Sequence, residues 1–131
     1  MTDRGLLDTS VFIANESGRP LREDLLPDES AVSVVTLAEL QAGVLAASDT
    51  QVRARRLATV DALADIAVLP VDESVALAWA RLRVYLAETS QWVNANDLWI
   101  AATAISRDLP VVTQDSDFDP LQGVGVTVIR V

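Results

Sequence analysis

Two kinds of apolar pattern alternate along the chain. Short apolar runs of strand length occur at Gly5-Leu6-Leu7-Asp8, Ala31-Val32-Ser33-Val34, Val68-Leu69, Pro110-Val111-Val112-Thr113 and Val126-Thr127-Val128-Ile129. Longer stretches lie between them. A helix carrying Val11, Phe12 and Ile13 follows the first run at once. Pro20, Pro27 and Asp28 mark turns around a short helix near Leu21–Leu26. Thr36 is predicted to open a helix running to about Ala47. A further helix is predicted over about Gln51–Asp65, with Leu57, Val60, Leu63, Ala64 and Ala67 on one face. Over Ser74–Glu88 the apolar positions Val75, Ala78, Trp79, Leu82, Tyr85 and Leu86 recur at helical spacing. Asn96 is predicted to cap the next helix, which runs to about Arg107.

Strands alternating with helices imply βαβ units. The expected fold class is therefore α/β, a mostly parallel central sheet with helices on both faces in three layers. No internal repeat, low-complexity tract or linker divides the sequence, so residues 1–131 are expected to form one domain. No apolar run approaches the roughly 20 residues of a membrane helix, and the N-terminus lacks a secretory pattern. The expectation is a cytoplasmic protein that does not engage a membrane. In an open parallel sheet, ligands sit outside the carboxyl ends of the strands.

Composition narrows the chemistry. The chain has no Cys, which excludes disulfides, thiolate catalysis and Cys-ligated zinc. It has no His, the usual general base and transition-metal ligand. All ten basic residues are Arg, so Schiff-base chemistry and a P-loop lysine are excluded as well. An enzyme of this composition works with carboxylates, hydroxyls, amides and Arg. The formal charge of −9 argues against a conventional basic nucleic-acid footprint. A bound divalent cation reverses the local sign, however, so acidity does not exclude an RNA substrate. It also suits a basic protein partner.

Four acids stand where such a sheet would gather them. Asp8 ends the first strand, and Glu39 is expected in the first turn of the helix after the second. Asp97 lies in the first turn of its helix. Asp115 lies just past the Val111–Thr113 run, with Asp117 two residues on. Converging carboxylates repel, and a hard divalent cation relieves that repulsion. Carboxylate-held Mg²⁺ or Mn²⁺ is a standard apparatus for phosphodiester hydrolysis. Each acid also has a purely local reading. Thr36-Leu37-Ala38-Glu39 matches a capping box. Asp97 suits a helix dipole, Asp8 a cap, and Asp115 and Asp117 a turn. Only the set points to catalysis.

Four segments carry a family likeness: Leu6-Leu7-Asp8-Thr9-Ser10-Val11, Ser33-Val34-Val35-Thr36-Leu37-Ala38-Glu39-Leu40, Asn96-Asp97-Leu98-Trp99-Ile100-Ala101-Ala102-Thr103-Ala104 and Val111-Val112-Thr113-Gln114-Asp115-Ser116-Asp117-Phe118. In this order and separation the chain resembles the PIN-domain family, and within it the VapC-type toxins. The resemblance covers residue 6 to about residue 118. It implies a three-layer PIN-like fold and an active site of Asp8, Glu39, Asp97 and Asp115 around Mg²⁺ or Mn²⁺. Asp8, Asp97 and Asp115 would be the metal ligands, with Glu39 a further ligand or a group orienting water. Thr113 would support them, with Thr9 and Asp117 as further supporting candidates. The implied reaction is hydrolytic cleavage of single-stranded or loop RNA. The implied partners are a VapB-type antitoxin that blocks the acidic site, reaching it with an Arg, and a second copy in a homodimer. Many relatives have Asn where this chain has Ser10, which can still donate to a carboxylate or phosphate.

Two rival activities fail on composition. A receiver-type phosphoacceptor domain needs a lysine, and a haloacid-dehalogenase-type phosphatase needs an Asp at the position of Ser10. The alternative that stays open is a catalytically inactive PIN domain serving as a regulatory or binding module. Outside the acids, Arg53, Arg55 and Arg56, and also Arg81 and Arg83, read as solvated ion-pairing faces rather than phosphate contacts. Trp79 falls on a core stripe. Trp92, in a connection, either packs a partner surface or stacks a base, packing being the simpler reading.

Overall fold

Three short strands and the helices that follow them build the acidic edge of the molecule. A computed structural model describes residues 2–131. Strand β1 (Arg4–Leu7) runs into helix α1 (Thr9–Glu16), and β2 (Glu29–Ser33) into α2 (Val34–Ala46). Helix α3 (Thr50–Asp61) precedes β3 (Ala67–Leu69), and α4 (Glu73–Glu88) is followed by α5 (Ala95–Ser106). Strands β4 (Val111–Thr113) and β5 (Val128–Arg130) complete a five-stranded sheet of order β3-β2-β1-β4-β5. Every pairing is parallel, with Leu6 opposite Ala31 on one side and Val111 on the other. This is the expected α/β architecture.

Alternation along the strands sorts the core into two layers. Leu6, Ala31 and Val111 face one side and pack with Val75, Leu82 and Leu86 of α4 and Leu98 and Ile100 of α5. Leu7, Val32 and Val112 face the other and pack with Val11 of α1 and Leu40 of α2. Helices therefore cover both faces, as near-continuous apolar strands require. A Cβ on Gly5 would meet Val112 Cγ2 at 2.8 Å, so β1 and its neighbours pack too closely there for a larger residue.

Several boundaries differ from the sequence expectation, each for a local reason. The hydroxyl of Ser33, the last residue of β2, accepts the Val35 amide, so α2 starts at Val34. Thr36 is thus inside the helix and buried, and the capping-box reading of Thr36 and Glu39 is wrong. Asn94 rather than Asn96 caps α5, accepting the Asn96 amide at 2.9 Å. The expected helix near Leu21–Leu26 is a single 3-10 turn, Glu23–Leu25. The predicted Gln51–Asp65 helix tightens into a 3-10 turn at Ala62–Asp65. Of the face read along it, Leu63 enters the core and Val60 packs against that core, whereas Leu57 is 45% exposed. Among the described residues Arg53 and Arg56 form no ion pairs. Their guanidiniums donate to Ala47 and Gly43 carbonyls near the end of α2, the latter at 2.7 Å, where helix carbonyls lack partners. The stripe on α4 holds as read, with Trp79 half-buried and stacked on Trp99 at 4.9 Å between ring centroids.

Candidate active site

The strand order reverses direction between β1 and β4, and this is where an open parallel sheet forms its ligand crevice. Asp8 leaves the carboxyl end of β1 and Asp115 lies just beyond the carboxyl end of β4. The Asp8 amide donates to the Val112 carbonyl at 2.8 Å, which locks the two strand ends together.

Asp8 is both the N-cap of α1 and the most deeply placed acid of the site. Its Oδ2 accepts the Ser10 hydroxyl at 2.6 Å, the Thr113 hydroxyl at 3.0 Å and the Ser10 amide at 3.4 Å. Those two hydroxyls in turn accept backbone amides, Gln114 onto Ser10 Oγ and Asp115 onto Thr113 Oγ1, both at 3.0 Å. One carboxylate oxygen is thereby fixed by the loop after β4, while Oδ1 takes neither hydroxyl. Burial pushes the Asp8 carboxyl above its ordinary value, and the hydroxyls of Ser10 and Thr113 only partly offset this.

The other acids approach from separate elements. Asp97 is the third residue of α5, near the positive end of that helix. Desolvation, then the charges of Asp8, Asp117, Glu39 and Asp115, push its carboxyl up to about 7. Asp8, Asp117, Glu39 and Asp115 thus all lie near enough to Asp97 for their charges to act on its carboxyl. Asp115 is also raised, first by desolvation and then by Asp8 and Asp117, with Arg19 and Arg130 pulling the other way. Glu39 is held by Thr9, whose Oγ1 lies 2.8 Å from Glu39 Oε1 and 3.0 Å from Thr36 Oγ1.

Every acid singled out in the sequence therefore lies in this cluster, and Thr9, Ser10 and Thr113 touch its members directly. Sequence reasoning did not find Thr36, Gln114, Arg19 or Arg130. A fully buried threonine inside a helix carries a signal only once Thr9 is known to face it. Arg130 of β5 donates to the Asp115 carbonyl at 3.2 Å, and Arg19, past the end of α1, acts on Asp115 through its charge, which no local pattern reveals.

The donor set suits a hard cation, because it consists of hard oxygens on carboxyls that burial first, and for Asp97 and Asp115 neighbouring charge second, push toward neutrality. Among the described residues no three acids close round a single point. An open set of this kind matches Mg²⁺, which binds one or two carboxylates and keeps several waters, better than it matches a closed protein cage. A cavity of about 290 Å³ adjoins the cluster, running from Thr9 and Glu39 past Ile13 to Gly43 and Arg56.

The PIN domain family model matches residues 5–123, which includes every residue of the cluster. The chain belongs to the PIN-domain family. Within it the chain is of the VapC type. It is 61% identical to Ribonuclease VapC5 of Mycobacterium tuberculosis over 97% of this chain and 95% of that one. It is 43% identical to Ribonuclease VapC4 of the same species over 96% and 97%. The crystal structure of VapBC-5, a toxin–antitoxin system from that species, contains a chain that superposes with a TM-score of 0.92. The match has 57% identity and covers 98% of each chain. Among the described residues of this PIN domain no helix is long and apolar enough to cross a membrane.

Proposed function

We propose that this PIN domain is a metal-dependent endoribonuclease and the toxin of a VapBC-type pair. The observation that carries the reading is the convergence of Asp8, Glu39, Asp97, Asp115 and Asp117 at the switch point of the sheet, with Asp97 raised to about 7 by desolvation and then by its neighbours. The relatives named ribonucleases over nearly the whole chain support the substrate class.

Asp8, Asp97 and Asp115 would hold Mg²⁺ or Mn²⁺, which when bound supplies positive charge for the scissile phosphate and a water acidic enough to attack it. Ser10 and Thr113 turn Asp8 so that Oδ1 is presented and Oδ2 is occupied. Thr9 holds one oxygen of Glu39, leaving the other to accept a proton from an attacking water or to orient it. Arg19 and Arg130, beside Asp115, are the positive groups nearest an incoming phosphate at that side. The net charge of −9 and the carboxylate edge suit a VapB-type antitoxin that brings a basic side chain to the cluster. A homodimer is part of the same reading.

The test is incubation of the antitoxin-free protein with a pool of structured cellular RNAs under Mg²⁺, Mn²⁺ or EDTA. Discrete cleavage is expected with either metal and not with EDTA. Asp8→Asn is expected to lower it at least ~100-fold, more than loss of a ligand's supporting partner. Equal cleavage by Asp8→Asn, or cleavage in EDTA, refutes the mechanism. Tight metal binding without cleavage of any RNA supports an inactive, regulatory PIN domain instead.

A further inference from the structure

A second cavity, of about 270 Å³, opens where the end of α4 meets the connection into α5. Trp79 and Arg83 of α4, Gln91 and Trp92 of the connection, and Ala95 and Leu98 of α5 line it. Its size is at the small end for a ligand cavity, suited to one planar group.

Nineteen of the 131 residues are acids, and none of the residues lining this cavity is one of them. Trp92 is 79% exposed, which leaves most of its ring open to a ligand from solvent. Each polar group at the walls is a donor. Arg83 takes part in no salt bridge among the described residues. The Gln91 side-chain amide lies 3.0 Å from the Thr89 hydroxyl, whose single proton goes to the Tyr85 carbonyl at 2.8 Å, and its NH₂ supplies donors. The indole Nε1 of Trp79 is buried with no hydrogen-bond partner. Ser90 holds the left-handed conformation, with φ of 55°, and turns the chain so that Trp92 stands at the mouth.

An exposed ring beside a set of donors matches a nucleobase, which offers a flat π face and an acceptor-rich edge. A second copy of the chain is the competing occupant, and the oligomeric state of Trp92→Ala tests it. The location favours the nucleobase. The connection that carries Trp92 runs directly into the first turn of α5, where Asp97 sits. Stacking also answers the difficulty of a protein with net charge −9 holding RNA, because it draws on no basic footprint.

We infer that this cavity is a nucleobase subsite, in which Trp92 stacks an unpaired base flanking the scissile phosphodiester and Arg83 and Gln91 donate to that nucleotide. The inference rests on the ribonuclease reading for the identity of its ligand.

Two measurements test it. The first is Mg²⁺-dependent cleavage of a short single-stranded RNA by wild type, Trp92→Ala, Trp92→Phe and Arg83→Gln. The second is quenching of tryptophan fluorescence by a phosphorothioate oligoribonucleotide, which resists hydrolysis. Trp92→Ala is expected to raise KM and the dissociation constant about 5- to 150-fold, the range for one stacked base. Its kcat should be unchanged, because remote binding is shared by ground and transition states. Trp92→Phe should stay near wild type, and Arg83→Gln should lose several-fold in both constants. Equal KM and affinity in wild type and Trp92→Ala overturns the inference. So does a change of oligomeric state in Trp92→Ala by light scattering, which assigns the patch to a second copy. Cleavage indifferent to Trp92 removes the subsite and leaves the nuclease. Trp92-dependent binding of the phosphorothioate RNA, without cleavage of ordinary RNA, retains the subsite and removes the nuclease.

Discussion

Asp97→Asn should make the metal-free protein more stable at pH 8 while removing its activity. A carboxyl raised from 3.8 to about 7 is held neutral by the fold below that value and is forced to ionise among other acids above it. The folded state therefore binds more protons than the unfolded state between about pH 4 and pH 7. The stability tied to that proton is fully present below about pH 4 and is lost as pH rises through about 7. Taken at ~1.4 kcal/mol per pH unit, a group wholly shielded from water would lose ~4 kcal/mol. Asp97 is only half-buried, and screening by solvent reduces this to ~1–2 kcal/mol. Asparagine keeps the shape and has no charge to force. In EDTA at pH 8, the variant should melt ~3–10 °C above wild type, and the difference should shrink toward zero at pH 4 to 5. Thermal melts of both proteins across pH 4–9 decide it. An Asp97→Asn protein no more stable than wild type at pH 8, or an advantage that persists undiminished at pH 4, refutes the account of a crowded carboxylate edge. Adding Mg²⁺ should raise the wild-type Tm more at pH 8 than at pH 5, because protons and the cation compete for the same oxygens.

Thr113→Val keeps the volume of a fully buried residue but removes the hydroxyl that joins Asp8 to the loop after β4. Cleavage and Mg²⁺ affinity should fall ~10–100-fold, with ~1–3 kcal/mol lost in urea denaturation for the groups left unpaired. Gly5→Ala places a methyl 2.8 Å from Val112 Cγ2 and 3.1 Å from Pro27 Cγ, which should cost ~1–3 kcal/mol by the same measurement. Asp72 caps α4 through the Val75 amide and Ser74 hydroxyl and pairs with Arg107. These contacts lower its carboxyl to about 2. Its contribution is present above about pH 4 and is lost as pH falls through about 2. The Tm gap between wild type and Asp72→Ala should therefore close at the acid end, the reverse of the behaviour at Asp97.

Much of the fold could be read from the apolar runs, because a parallel sheet buried on both faces writes itself as such runs between helices. Leu6 and Leu7, or Val111 and Val112, serve opposite cores, so each pair had to be apolar. The four acids of the candidate site were legible for a related reason, since each follows a strand or lies near the start of a helix. Legibility failed where two equivalent residues competed for one cap. Ser33 and Thr36 are both good caps, as are Asn94 and Asn96. The residue that left the helical conformation first prevailed, which local composition does not determine. The face read along α3 proved mixed, because the helix packs on α2 with Val60 against the core and leaves Leu57 in solvent. The hydroxyl network stayed hidden because its links join residues about 30 and about 100 positions apart, such as Thr9 with Glu39 and Ser10 with Gln114.

The bond from Thr113 to Asp8 spans 105 positions, nearly the length of the chain. A polypeptide leaving the ribosome can pair β1 with β2 early, but β1 remains a sheet edge until β4 emerges. Until then Asp8 lacks the Thr113 hydroxyl, and Asp115 has yet to be delivered. Pairings this distant in sequence are also slow to form. Completion of the candidate site is thus deferred to the closing stage of synthesis, whereas α1 and α2, which border the cavity beside Glu39, are complete long before.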